Sequence, residues 1–501
     1  MMTIGDDRIV TQVSSGPTIG PDIQPVFIGH CPGDANSEAI FEDAFLKNRL
    51  QQMGYSERIA GFPGGDDVTE QLYMLPLPIR SLAQFQRLFP AAQLQDYAIS
   101  NLPQSSQNSQ SQHWLPWAIK DYFNVGSGQS DDRICWVIRV DESLAAEGFD
   151  AKTTAVQHLP ESWNALELAC SIESAGILLT PDLERLLVPY TDQDISRKRL
   201  PNPSPAFHAC SEVYDDTHRE RRYSTEMPDY NVDEKAVNRI LRVAQRLHAW
   251  RPDMQWIFSL APEIENGIAR PEPVSPINQW LKTTATEHVE LAGVQFVFPL
   301  VYADNRPLSS ASGLLAGHIV NKTRTEGVWR SIAGMPLSGE LSLWPEIGKK
   351  HRSMLREQLG LGVLFASGNT IQLDDERLVV KGFCDHSGTA CRSAELVRFM
   401  GWLHRTLRDL GEDLIFNLDG RDPVVGNILD AFFRELHQKG ALRGAQSEDA
   451  YRLTNLSTKP NIIHYQIEIA PSFPVDRFFV SFMHDSKANS PHLVWEVAAN
   501  G

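Results

Sequence analysis

The chain reads as an α/β protein whose last third is built on a different plan. Through residues 24–330, short continuous apolar runs alternate with amphipathic helical stretches, which argues for strands covered on both faces. From residue 331 onward the sequence carries two long helices with single apolar stripes, followed by strands of alternating polarity. That is the pattern of helices packed on a sheet with one buried face.

Taken in order, the first 23 residues hold one strand-like run, Arg8–Val13, and a tether rich in Ser, Gly and Pro. Pro25–Gly29 opens the body. Further strands are expected at 134–140, 176–180, 254–260, 294–301 and 314–320, and helices at 115–123, 161–174 and 233–250. Two polar stretches, Gln93–His113 and Arg197–Asp229, have too little to bury and are expected on the surface. In the last third, Arg377–Phe383 reads as a strand. The helix at 392–411 aligns Leu396, Met400, Leu403, Leu407 and Leu410 on one stripe. A second, at 424–440, buries Val425, Ile428, Leu429, Phe432 and Leu436 and stops at Gly440. Strands at 464–470, 477–483 and 492–497 finish the chain.

Composition bounds the function. A chain of 501 residues, 42% hydrophobic and 22% charged, suits two or three ordinary globular domains. A net charge of −17 argues against nucleic acid or an anionic membrane as the main partner. No run approaches the ~20 apolar residues of a membrane span. The acidic start MMTIGDDRIV lacks the order of a signal peptide, so the cytosol is the expected compartment. The six cysteines at 31, 135, 170, 210, 384 and 391 form no C-x-x-C pair and are expected as reduced thiols.

A search for catalytic chemistry returns little. Gly317-His-Ile-Val-Asn-Lys-Thr323 imitates a phosphate loop but lacks the glycine before the lysine, and its β-branched residues oppose a tight nest. Cys384, Asp385, His386, Ser387, Thr389 and Cys391 form the densest reactive cluster, packed too closely for paired metal ligands and without a nucleophile elbow. It reads as a polar connector. No H-E-x-x-H, G-x-S-x-G or G-x-G-x-x-G motif occurs, so no enzyme activity, cofactor or metal is expected.

Four passages carry a resemblance. SGPTIGPDIQPVFIGHCPGD (15–34) resembles the start of contractile-tail sheath proteins, where an arm and tether precede an apolar strand. SLAQFQRLF (81–89) followed by LPWAIKDYF and RICWVIRV is similar to that family's helix, helix, strand order. GLLAGHIVNKTRTEGVWRSIAG (313–334) resembles a passage in which Gly317 and Gly327 serve close packing and a turn. The most specific match is FFRELHQKGALRGAQSEDAYRL with IEIAPSFPVDRFFVSFMH, which holds Gly440, Ala450, Ala470, Pro471, Pro474 and Phe478 in register. Three departures mark the chain: Cys391–Arg398 replaces the family's aromatic and arginine entry to the long helix, Leu453–Asn455 lacks its Cys-Asp, and Lys487–Gly501 adds a strand.

The resemblance implies a multi-domain α/β tail-sheath fold. Residues 1–23 would be an arm exchanged with a neighbour. Residues 24–330 would be an outer domain of subtilisin-like topology without activity, and 331–501 an inner α+β domain completed by terminal strands. It implies a structural subunit of a contractile injection particle, in a phage tail, a tailocin or an extracellular system, stacked on itself in six-fold rings. Its partners would be an inner tube protein and the baseplate and terminator proteins, with no nucleic acid and no membrane insertion. The particle would assemble in the bacterial or infected-host cytoplasm. A non-contracting baseplate or tail-end adaptor of the same fold is the alternative, and an α/β hydrolase the more distant one. The candidate inter-subunit strands are Ile9, Val10, Thr11, Gln12 and Val13 at one end and Leu493, Val494, Trp495, Glu496 and Val497 at the other. The candidate tube contacts are Arg434, Lys439 and Arg443, with Arg405 and Arg408 in reserve.

Overall fold

The computed structural model describes residues 23–60, 71–92, 113–126, 133–142, 144, 148–149, 163–186, 234–265, 268–303, 306–337, 339, 341–380, 393–415, 423–458, 462–472, 478–485 and 492–497. The strands in chain order are β1 (Gln24–Gly29), β2 (Leu77–Ile79), β3 (Cys135–Arg139), β4 (Ala175–Leu179), β5 (Gln255–Ser259), β6 (Pro262–Glu265), β7 (Ile268–Pro273), β8 (Val294–Phe298) and β9 (Leu300–Ala303). They continue with β10 (Arg306–Ser309), β11 (Pro336–Leu337), β12 (Ser342–Trp344), β13 (Gly362–Ser367), β14 (Thr370–Leu373), β15 (Tyr451–Asn455), β16 (Ile462–Ile469), β17 (Phe478–Asp485) and β18 (His492–Val497).

Nine of them form one sheet in the order β11-β14-β13-β8-β5-β4-β1-β3-β2. The strands from β13 to β3 run parallel, while β2 at one edge and β14 and β11 at the other are antiparallel. Every residue of β3, β4, β5 and β8 is buried, as expected of a sheet sandwiched between helices. The alternation of side chains along each strand divides the apolar residues between two cores. Phe27, Val137, Leu179, Ile257 and Val297 face one, whereas Val26, Trp136, Leu178, Trp256 and Phe296 face the other. The second core is closed by helices Ala165–Cys170, Glu234–Trp250, Ser275–Thr283 and Lys349–Leu359. The first is closed by Leu115–Asn124, Ser312–Glu326 and, without a break, by Ala394–Ile415 and Pro423–Gln438. Three smaller sheets, β10-β9-β12, β6-β7 and β15-β16-β17-β18, complete the strands.

The structure differs from the sequence expectations at several points. Leu314–Val320 is not a strand but the centre of the helix Ser312–Glu326, buried on all sides. An apolar run with no visible period fits a buried helix as well as a buried strand. Two glycines decide it, because a Cβ on Gly313 would stand 2.2 Å from the Ala118 carbonyl oxygen and one on Gly317 2.9 Å from that of Tyr122. The helix therefore packs backbone to backbone on Leu115–Asn124. Gly327, at φ 110°, ends it. The strand expected at 294–301 divides at Pro299 into β8 and β9, which join different sheets. Proline lacks the N–H that would carry the ladder through. The helix expected at 161–174 starts at Asn164, which forms a capping box with Glu167, and ends at Cys170. Leu378, Val379 and Val380 are buried but lie in irregular chain, the last two in bends, rather than in the expected strand. The rest of that run and the cluster 384–391 lie outside the described residues.

The boundary expected at residue 330 falls inside the large sheet, since β11, β13 and β14 all belong to it. The change of plan comes later, with the helix Ala394–Ile415. Its stripe Leu396, Met400, Leu403, Leu407 and Leu410 is buried, and so are Val425, Leu429, Phe432 and Leu436 of the next helix, which gives way to Gly440 at φ 76°.

Besides the shared apolar core, buried ion pairs join this helix to the sheet. Asp253, just before β5, lies between Arg251 (Oδ2 to Nη2 2.8 Å) and Arg405 of the helix (Oδ2 to Nη1 3.0 Å), and all three are buried. Arg405 also donates to the Asp253 carbonyl at 2.8 Å. Gly401 is required there, because a Cβ would meet that carbonyl oxygen at 2.1 Å. Arg251 further donates to the carbonyls of Cys170, Ile172, Glu173 and Ala175. Burial alone would raise the pKa of Asp253, but the hydrogen bonds and charges of Arg251 and Arg405 outweigh it and hold the carboxyl well below its ordinary range. Two turns earlier in the helix, Arg398 pairs with buried Glu376 at 2.7 Å and donates to Gln255. Breaking a buried pair from one side costs about 3–5 kcal/mol. Asp253→Asn should lower stability by about that much in denaturant unfolding, and Gly401→Ala should do the same by displacing the helix. A loss under about 1 kcal/mol for Asp253→Asn would show the cluster to be dispensable.

Candidate functional site

In a doubly wound parallel sheet, ligands bind outside the carboxyl ends of the strands where the strand order reverses. Here β1 is followed by β3 on one side and β4 on the other, so that place lies beyond Gly29 and Leu179. It is filled by protein. The short helix Pro181–Arg185 sits there with every residue buried. Asp182 accepts from the backbone N–H groups of His30, Trp114 and Leu115 and from Arg185 Nε at 2.9–3.1 Å. Burial would raise its pKa, yet Arg185, His30, His113 and the Trp114 N–H together lower it.

His30, His113 and Asp182 bring ligand-type atoms within 4.8 Å of one another, but their chemistry opposes a metal. Both Asp182 oxygens already accept two hydrogen bonds each. Arg185 Nη2 donates to His30 Nδ1 at 3.0 Å, which leaves the proton of a neutral ring on Nε2, the atom that would have to ligate. Burial lowers the pKa of both histidines, that of His113 to about 4. The group is a neutral histidine pair tied to a satisfied ion pair, and sequence patterning gave no sign of it because its members lie far apart along the chain.

Gly317–Thr323 lies in the middle of a helix, where backbone N–H groups are spent on the preceding turns and cannot cradle phosphate. Cys31, Cys135 and Cys170 are free thiols, the first two buried.

The expected assembly residues fall into three groups. Ile9–Val13 lie outside the described residues. Leu493–Val497 form most of β18, which within this chain pairs antiparallel with β17, Leu493 opposite Phe482 and Val497 opposite Phe478. Arg434, Lys439 and Arg443 are all exposed at one end of the Pro423–Gln438 helix and the turn after it. Arg434 is paired with Asp430 and Lys439 with Glu435 at 2.7 Å, so this surface is of mixed charge. Of the reserve pair, Arg405 is excluded from any surface role by its burial against Asp253. Arg408 is partly exposed beside Asp409. Among the described residues no helix is long and apolar enough to cross a membrane.

Compared with solved structures, the chain is similar to one in the baseplate of the anti-feeding prophage (AFP), with a TM-score of 0.51 and 13% identity over 95% of this chain and 96% of that one. A chain of the PVC extracellular contractile injection system, from its sheath complex in the contracted state, aligns at TM-score 0.46 and 10% identity, over 98% of this chain and 91% of that one. The sheath tail protein Lin1278 of Listeria innocua aligns at 0.47 and 8%, over 95% and 98%. No protein-family model and no curated protein matches. The fold is thus a mixed α/β fold shared with a chain of the AFP baseplate. The particular likeness is to a component of the AFP baseplate, along almost the full length of both chains.

Proposed function

We propose that the chain is a structural subunit of the contractile sheath around the inner tube of a phage-tail-like injection particle. The observation that carries this reading is the fold shared end to end with a chain of the AFP baseplate, and the four sequence passages resembling sheath proteins support it. The crevice in which a doubly wound sheet would bind a substrate is occupied by Pro181–Arg185, which fits a building block rather than an enzyme. In this reading subunits stack as six-fold rings, held extended and then repacked into a shorter, wider form by exchange of interfaces. The outer part, of subtilisin-like topology and without activity, carries the nine-stranded sheet and runs to about residue 380. The inner part starts with the Ala394 helix and includes β15–β18 and the N-terminal arm.

The tube contact is assigned to Arg434, Lys439 and Arg443. Arg434 and Lys439 are exposed, and their carboxylate partners are Asp430 and Glu435 one turn back along the helix. Such pairs are worth about 0.3–0.5 kcal/mol, so exchanging them for an acidic tube surface costs little. Arm residues 9–13 and strand residues 493–497 are assigned to β-augmentation between neighbours.

Purified chain should build long tubes under negative-stain microscopy; single rings alone would favour the baseplate adaptor. Reversing Arg434, Lys439 and Arg443 to Glu together should strip sheath from tube in particle preparations while the monomer keeps its melting temperature. Normally sheathed tubes would refute the assignment. Deleting residues 1–14 or 491–501 should leave a folded monomer unable to extend a sheath. Contraction-competent sheaths from either truncation would remove that terminus from the linkage.

A further inference from the structure

The helix Pro181–Arg185 carries two buried carboxyl groups in opposite situations. Asp182 is fully hydrogen-bonded and paired with Arg185. Glu184 is 1% exposed, and neither of its oxygens makes a hydrogen bond of good geometry. Its polar neighbours are the backbone N–H and hydroxyl of Ser259 at the end of β5, and the hydroxyls of Ser310 and Ser312 at the start of the Ser312–Glu326 helix. These are linked to one another, Ser259 Oγ to Ser310 Oγ at 3.2 Å and Ser310 Oγ to Ser312 Oγ at 2.6 Å.

Among the described residues no cation pairs with Glu184. On its own helix Arg185 is committed to Asp182 and His30. From the elements packed against that helix come His30 after β1 and His113 before the Leu115–Asn124 helix, and neither bonds to Glu184. Lys120 and Asp121 stand more than a turn along from the Leu115 end that meets Asp182. Hydroxyls can accept from a carboxylic acid or donate to a carboxylate, but they bring no countercharge, and an ionised carboxylate without one is strongly disfavoured in a dry interior.

We propose that Glu184 is kept as the neutral acid within the serine cluster, and that releasing its proton to solvent unseats the Pro181–Arg185 helix from the crevice at the ends of β1 and β4. The fold thereby contains a proton-held latch, independent of the sheath reading. Burial pushes the Glu184 pKa up to about 8, with the serines drawing it part of the way back. The folded-state value is above the unfolded one near 4.5. The latch therefore contributes its full stability below the unfolded value and loses it as pH rises to about 8. A reporter is built in, because Thr180, at the head of the helix, accepts a hydrogen bond from Trp256 Nε1 at 3.1 Å.

The test is an infrared pH titration of the full chain, with tryptophan emission recorded in parallel. A neutral carboxylic-acid band is expected at pH 7.5, disappearing as pH passes about 8 together with a change in Trp256 emission. Glu395, pushed up by burial and by Glu376 to about 7, loses its own band earlier. In Glu184→Gln, the later band should be missing, and the denaturation midpoint should no longer carry the fall of close to tenfold in folding constant per pH unit that one proton gives. Absence of any neutral-acid band at pH 7.5 in the wild-type chain overturns the proposal whether or not the variant folds. So does a band unchanged by Glu184→Gln, or a midpoint with the same pH dependence in both proteins.

Discussion

The carboxylate of Asp253, held between the guanidinium groups of Arg251 and Arg405, is the contact on which the relation between the two parts of the chain depends. Three charges without water are tolerated only when each has its partners. Asp253 supplies the negative charge for both arginines, and Arg251 spends its other N–H groups on four carbonyls of the turn that leads into β4. The start of β5, the turn before β4 and the helix Ala394–Ile415 are thus fixed by one cluster. Gly401 and Gly176 complete it by leaving room, the first for the Asp253 carbonyl and the second for the Arg405 guanidinium. Apolar packing alone would let a helix slide along a sheet edge. Directional ion pairs set its position against the sheet.

With its amino end taken by this helix and its carboxyl end by Pro181–Arg185, the parallel sheet is closed at both ends. The crevice in which a sheet of this class seats a ligand is here filled by the Pro181–Arg185 helix. The two plugs differ in character. The amino-end contact is built from paired charges. The carboxyl-end contact combines a satisfied aspartate with a lone neutral glutamate.

Much of the sheet was legible in the sequence, because strands buried on both faces are continuous apolar runs, and β1, β3, β4, β5 and β8 all read that way. The same signal misled at Leu314–Val320, where only the tertiary approach of Gly313 and Gly317 to another helix distinguishes helix from strand. The continuation of the large sheet beyond residue 330 was hidden for a similar reason. β13 pairs with β8 across more than sixty residues of chain, and no local pattern announces a non-local partner. Arg405 was misread because it lies off the apolar stripe of its helix, which ordinarily means solvent. That side of the helix faces the sheet end instead, so a single stripe understates how much of the helix is covered. The histidine pair and Glu184 were invisible for the same reason as Asp253: their partners come from other elements.

The C-terminal strand shows how one set of hydrogen bonds can serve two topologies. β18 lies on β17 in a register that runs from Phe478 opposite Val497 to Met483 opposite His492. A strand supplied by a neighbour can occupy the same edge with the same register, because the backbone groups offered by β17 do not depend on which chain answers them. The choice is governed by the connection, residues 486–491, which reaches at most about 20 Å when extended. Closing that short connection on its own sheet is entropically favoured in an isolated chain. Were subunits stacked as proposed, the neighbour's sheet would be held close by, and the effective concentration of the exchanged partner would become comparable. Self-closure would then protect an edge strand from uncontrolled pairing before assembly, and assembly would convert the same contact into a link between subunits.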